Sequence, residues 1–169
     1  FFEPIRSLTM QYTALQRAMA SGIRIFELLD KEPDLVDRPG ADPLPTVRGE
    51  IDFRDVSYSY VPGQDVLKHV SLHVDPGQTV AIVGPTGAGK TTLVSLLSRF
   101  YDVPGDRGAV LVDGNDIRDK TRKSLASQTS MVLQEPFLFS GTVWENIKYN
   151  HRETTDEGMM KAARAVGAH

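Results

Sequence analysis

Nine consecutive residues, Gly84-Pro-Thr-Gly-Ala-Gly-Lys90-Thr91-Thr92, constrain this chain more than any other stretch. Their G-x-x-x-x-G-K-T spacing lets the backbone itself form a cradle for phosphate, because side chains would fill the space where the anion must sit. The flanks supply the expected setting. Gln78-Thr-Val-Ala-Ile-Val83 is nearly all apolar and predicts a strand buried on both faces of a parallel sheet. Thr91 to Phe100 places Leu93, Leu96, Leu97 and Phe100 on one side of a helix. A glycine loop between strand and helix aims free N–H groups and the positive end of the helix dipole at an anion. Gly84, Pro85, Thr86, Gly87, Ala88, Gly89, Lys90, Thr91 and Thr92 are therefore the candidate phosphate-binding residues. Lys90 reaches the outer phosphates as a cation, the Thr91 hydroxyl is placed to ligate Mg²⁺, and Thr92 reaches an inner phosphate. A nucleoside triphosphate is the ligand this pattern predicts.

Bulk properties narrow the class of protein. With 169 residues, 40% of them hydrophobic, the chain can bury a substantial core. The formal charge of −3 carries no basic excess, so nucleic acid is not an expected partner. There is no cysteine, which excludes disulfides and thiolate metal sites. His69, His73, His151 and His169 are scattered without metal spacing. Asp102, Asp106, Asp113 and Asp116 fall among turn residues and read as turn formers, not acid–base catalysts. No uncharged window is long enough to span a bilayer, and no signal peptide is visible. The chain starts at Phe1 rather than Met, and its last helical pattern runs to His169 without a closing element, so a piece of a longer protein is expected.

Three segments follow in order: a helix over 1–30, a linker over 31–49, and a domain over 50–169. From Pro4 to Asp30, Ile5, Leu8, Tyr12, Leu15, Met19, Ile23, Phe26 and Leu29 recur every three or four residues, which predicts one amphipathic helix roughly 40 Å long. Such a stripe suits a core or coiled-coil seam, or equally the extension of a membrane helix into the cytoplasm. Pro33, Pro39, Pro43 and Pro45 then break all periodicity. Strands are expected at Glu50–Tyr60, Val66–Val74, Ala109–Val112 and Thr129–Leu133, the last stopped by Glu135-Pro136. Asp113-Gly114 signals a hairpin. Thr154-x-x-Glu157 predicts a capping box opening a helix to about Val166, with Met159, Ala162, Ala163 and Val166 on one face and Gly167 at its end.

Taken together these residues resemble the nucleotide-binding domain of an exporter-type ATP-binding cassette transporter. The likeness runs through Leu15-Gln-Arg-Ala18, Arg24-Ile-Phe-Glu-Leu-Leu29, Ile51-Asp-Phe-Arg-Asp-Val-Ser-Tyr-Ser-Tyr60, the loop Gly84–Thr92, Leu111-Val-Asp-Gly-Asn-Asp-Ile117, and Met131 through Gln134 to Ile147. The fold it implies is an α/β P-loop NTPase core with an antiparallel β subdomain, stopping before the signature motif and the acidic Walker B strand, preceded by a long N-terminal helix. Segment 1–30 is then the end of a transmembrane-domain helix extension and 50–169 a partial ATP-binding domain.

The resemblance also implies roles. Tyr60 matches the aromatic that stacks on adenine; a tyrosine ring offers a flat, polarisable face to a purine, although strand aromatics also serve as plain core. Val66 would pack beside the base, and Gln134 would contact Mg²⁺ and the attacking water, making Lys90 and Gln134 the catalytic pair. ATP and Mg²⁺ are the implied cofactors. A second nucleotide-binding domain, identical or different, is the implied partner. The transmembrane domain of the same polypeptide would dock through Phe137–Ile147, with Trp144 central, at the cytoplasmic face of the plasma (inner) membrane. ATP hydrolysis driving export is the implied activity of the intact protein, while the 169 residues alone would bind without turnover. A regulatory ATP-binding module and a P-loop kinase are the alternatives.

Overall fold

The computed structural model describes residues 2–135, 137–149 and 154–168. The expected features at Pro136, His151 and His169 lie outside them. The chain divides into two compact units, 1–129 and 130–169.

In the first unit, helix α1 spans Phe2–Leu29, and none of its 28 residues is buried. Its apolar stripe, from Ile5 to Leu29, stays open. Strands β1 (Ile51–Tyr58), β2 (Leu67–Val74), β3 (Ala109–Val112) and β4 (Asn115–Asp116) form one antiparallel sheet in the order β2-β1-β3-β4. Alternation drives this pairing: Phe53 faces Leu72 on one side and Val110 on the other, and all three turn toward apolar neighbours. The β3–β4 turn is the Asp113-Gly114 pair, both with positive φ (47° and 75°), which matches the twist of the flanking strands. Helix α2 (Lys90–Leu97) buries Leu96 fully in the same core cluster as Val56, Tyr58 and Val110, where it contributes about 2 kcal/mol. Phe100, expected on that helical face, lies beyond the helix end and is 53% exposed.

The proline-rich stretch 31–49 is strapped to the sheet unit despite having no regular structure. Leu44 is buried in the core. Its N–H donates to Ser124 Oγ (2.8 Å), and the Val47 N–H donates to Gln128 Oε1 (2.8 Å), both from the region of helix α3, Arg122–Ala126. Side chains thus satisfy donors that prolines keep out of any ladder. Asp37 accepts from the Arg122 N–H and pairs with Arg99 at 3.3 Å. Arg99 is 1% exposed and also binds Asp102 at 2.9 Å, so Asp102, expected as a turn former, lies outside any turn and instead neutralises a buried guanidinium.

Two strand expectations fail. Gln78–Val83 and Thr129–Leu133 form no strand. Among the described residues no neighbouring strand runs beside either, and an extended segment without a partner has nowhere to place its ladder hydrogen bonds. Val80 and Ile82, each 41% exposed, instead line a cleft of about 210 Å³ with Ile51, Val74, Leu93 and Leu97. That contact with the sheet and α2 accounts for Val80 and Ile82, while Val83, 87% exposed, lies outside it.

Two of the four expected turn aspartates, Asp113 and Asp116, hold backbone. Asp113 accepts the N–H groups of Arg48, Gly49 and Glu50 at the entry to β1, and these bonds, that from Arg48 first, hold its carboxyl below the usual range. Asp116 caps the 3₁₀ turn Ile117–Asp119 through the Arg118 N–H and grips the Arg118 guanidinium at 2.6 Å. Burial pushes the Asp116 carboxyl up, but the Arg118 bonds outweigh it and the net shift is downward. A lowered native pKa means stability that is complete above the unfolded value and lost as pH falls through the native one. The melting-temperature advantage of the native chain over Asp113→Asn should therefore shrink on acidification from about pH 5 to about pH 2. An advantage that stays constant across that range would contradict the assignment.

The second unit is described by itself. Helix α4 (Val143–Lys148) opens with a capping box: Thr142 Oγ1 accepts from the Glu145 N–H (3.1 Å) and Glu145 Oε2 from the Thr142 N–H (2.7 Å). Those bonds also hold the Glu145 carboxyl below its usual range. The box expected at Thr154-x-x-Glu157 is corrected by one residue. Helix α5 (Asp156–Ala165) is capped by Thr155, whose hydroxyl accepts from the Gly158 N–H at 3.2 Å; glycine in the third helical position cannot return the bond. Met159 and Ala163 are its buried face, while Val166 is the C-cap and 78% exposed.

Candidate nucleotide site

The loop 84–89 delivers the chain into α2 through Gly89, which occupies the N-cap position with φ 86° and offers no capping side chain. The N–H groups of the first helical turn consequently have no side-chain cap at this end, and the first intrahelical bond runs from the Leu93 N–H to the Gly89 carbonyl (3.0 Å). Only glycine fits here. A Cβ on Gly89 would stand 2.6 Å from Leu67 Cδ2 and 3.3 Å from the Val66 carbonyl oxygen. The start of α2 thus rests directly on the start of β2, which carries Val66 to the loop's edge.

Lys90 folds back over the loop: its ammonium donates to the carbonyls of Gly84 and Pro85, both at 2.8 Å. An ammonium has three protons, so one remains for an anion above the loop. Residues 84–88 are exposed, as is the Thr91 hydroxyl on the first turn of α2. Thr92 is different. It is 4% exposed, and its hydroxyl accepts from the Tyr60 hydroxyl at 3.2 Å.

Tyr60 follows β1, is 48% exposed, and stands at the edge of a group of three tyrosines. Its ring meets Tyr58 at 5.1 Å and Tyr101 at 5.1 Å, both nearly perpendicular (89° and 84°). Burial, then the neighbouring Tyr60 and Tyr101, push the Tyr58 phenol up. Val66 is 36% exposed beside this group, its N–H donating to the Tyr58 carbonyl (2.8 Å). The first unit therefore brings Tyr60, Val66 and the loop 84–92 to one edge. Tyr101 and the Tyr60–Thr92 bond escape sequence reasoning, because nothing in Phe100-Tyr101-Asp102 marks which ring turns toward a strand 40 residues away.

Gln134 belongs to the second unit, on an exposed bend. That unit also presents Phe137, Leu138, Val143 and Trp144, all exposed, with Phe139 stacked on Tyr149 at 4.7 Å. Among the described residues no cluster of His, Asp or Glu forms a metal site, and no helix is long and apolar enough to cross a membrane. His69 pairs with Asp55 at 2.9 Å on the surface. A Mg²⁺ ion held by a hydroxyl and by the phosphates of its ligand needs no such cluster, and the exposed Thr91 hydroxyl suits that arrangement.

Comparison with known proteins gives one family. The chain is 46% identical over 99% of its length to the ABC transporter ATP-binding protein YknV of Bacillus subtilis (strain 168), covering 28% of that protein. It is 47% identical over 98% of its length to the fatty acid ABC transporter ATP-binding/permease protein of Mycobacterium tuberculosis (strain CDC 1551 / Oshkosh), covering 26% of it. It is 40% identical over 99% of its length to the ATP-dependent lipid A-core flippase of Desulfotalea psychrophila, covering 29%. Among solved structures, a bacterial Atm1-family ABC exporter with ATP bound superposes with a TM-score of 0.77 at 34% identity, over 99% of this chain and 29% of that one. The chain thus spans between about a quarter and three tenths of the relatives it matches. The family profile covers residues 67–169, from β2 through the loop 84–89 to the end of the second unit, and the chain belongs to the ABC transporter family.

Proposed function

We propose that this chain is the ATP-binding part of an exporter-type transporter whose intact polypeptide hydrolyses ATP to move a substrate across a membrane. One observation carries the reading: the uncapped N-terminus of α2, entered through Gly89 and covered by the Lys90 ammonium, sits at the same edge as the half-exposed ring of Tyr60. Tyr60 and Val66 take the base. Loop residues Gly84 to Gly89 wrap the phosphates with Thr92 beneath them, and Lys90 meets the outer ones. Mg²⁺, when bound, neutralises charge on the phosphoryl group being transferred. Thr91 and Gln134 would hold it, Gln134 also orienting the water that attacks.

The relatives, among them an ATP-binding/permease protein and a lipid A-core flippase, support a transmembrane partner and a place at the cytoplasmic face of the plasma (inner) membrane. The exposed apolar run Phe137–Ile147, with Trp144, is the surface we assign to docking on that partner. A second nucleotide-binding domain completes the assembly. The boundaries 1–30, 31–49 and 50–169 then separate helix extension, linker and ATP-binding domain.

Titrating the chain with Mg·ATP should move the backbone amide resonances of Gly84 to Thr92 and the ring signals of Tyr60, and leave α1 untouched. Loop amides that do not shift at millimolar nucleotide would remove the proposal.

A further inference from the structure

We propose that Tyr101 is a positioning residue for base recognition, holding the Tyr60 ring in the orientation that a nucleobase meets. The inference rests on the reading of Tyr60 as the stacking residue and adds a second residue that never need touch the ligand.

The backbone that carries Tyr60 is already fixed. Arg107 Nη2 pairs with Asp65 at 2.7 Å and its Nη1 donates to Ser59 at 3.3 Å, so both ends of the loop 59–66 are tied to the segment entering β3. Within the loop, the Gln64 N–H donates to the Val61 carbonyl (3.1 Å) and the Val66 N–H to that of Tyr58. What remains free is rotation of the Tyr60 side chain, which on an exposed residue would populate several rotamers.

Three contacts remove that freedom. The Tyr60 hydroxyl bonds to Thr92. Tyr58, 8% exposed, supplies a rigid ring on the core side. Tyr101 supplies the third, at 84° and 5.1 Å, and is itself anchored by Tyr58 at 5.9 Å. Since Tyr101 follows α2, the helix that opens at the phosphate loop ends beside the ring that receives the base. Such perpendicular ring contacts stabilise one relative orientation of the two quadrupoles, whereas a shapeless apolar neighbour would not. A ligand that stacks on a ring already held in place loses less entropy than one that must select a rotamer.

The test compares Mg·ATP with inorganic triphosphate, which offers the phosphate tail without a base, on the 169-residue chain by calorimetry. Tyr60→Ala should weaken ATP more than it weakens triphosphate, because it also removes the hydroxyl that bonds to Thr92 beneath the phosphates. Tyr101→Ala should weaken ATP about two- to twelvefold, the worth of one aromatic pair, while sparing triphosphate, and Tyr101→Phe should restore binding to within about twofold. Retained triphosphate binding also certifies that each variant is folded. ATP affinity that survives Tyr101→Ala while falling in Tyr60→Ala would overturn the positioning role alone. Equal losses for ATP and triphosphate in Tyr101→Ala would overturn it too, by showing a general structural part. If Tyr60→Ala leaves ATP binding intact, the stacking reading falls and this inference with it.

Discussion

Gly108→Ala should be the most damaging single-methyl change in the first unit, lowering its stability by about 2–5 kcal/mol. Gly108 has φ 100°, and a Cβ there would stand 2.5 Å from the carbonyl oxygens of both Arg54 and Asp55 and 2.7 Å from the Asp55 carbonyl carbon. All three are backbone atoms of β1, so no side chain can swing aside. The left-handed backbone costs an alanine about 1–2 kcal/mol. Overpacking adds about 1–3 kcal/mol, because β1 must shift away from the strand that begins at Ala109. The sum is a large part of the about 5–15 kcal/mol that holds a domain together. Gly105→Ala is the control: its Cβ would meet nothing within 4 Å, and its φ is not in the positive range. Urea unfolding followed by circular dichroism should separate the two variants clearly, and equal midpoints would refute the argument.

Lys90→Ala should abolish most nucleotide-dependent stabilisation with little effect on the free chain. Alanine is at least as good in the first turn of a helix, and the two carbonyls that the ammonium holds are exposed to water. At a Mg·ATP concentration ten times the dissociation constant, the native chain gains about 1.4 kcal/mol. Charge-assisted bonds from ammonium to phosphate contribute about 1.5–3 kcal/mol, so their loss weakens binding at least about tenfold. The residual gain at the same concentration is then about 0.4 kcal/mol or less. A thermal shift in Lys90→Ala as large as in the native chain would mean that the lysine stands away from the triphosphate.

What could be read from the residues was what they decide locally. Asp113-Gly114 dictates its turn whatever surrounds it, Ala109–Val112 begins and ends where its apolar run does, and α1 follows from a pattern repeated over eight turns. The glycine turns of the loop 84–89, with positive φ at Gly84, Gly87 and Gly89, are likewise local. Gln78–Val83 shows the limit: its apolar run predicts a buried strand, but whether such a run enters a ladder or lines an open cleft is decided by whatever lies beside it. Arg99 shows another. Its burial depends on Asp37, 62 residues earlier, and nothing within Arg-Phe-Tyr-Asp announces that a linker will fold back to meet it. At α5 two adjacent threonines can each cap, and Glu157 favours Thr154 by sequence alone, whereas the helix opens at Thr155.

The missing side chain at Gly89 has a consequence for how affinity is assembled. Because α2 and β2 meet there without a cushion, the residues we assign to the anionic tail and those we assign to the base lie within one compact unit rather than in two modules joined by a linker. Engaging either end of a nucleotide therefore presents the other at a high effective concentration. Adenosine and triphosphate added as separate molecules should bind far more weakly together than the intact compound does.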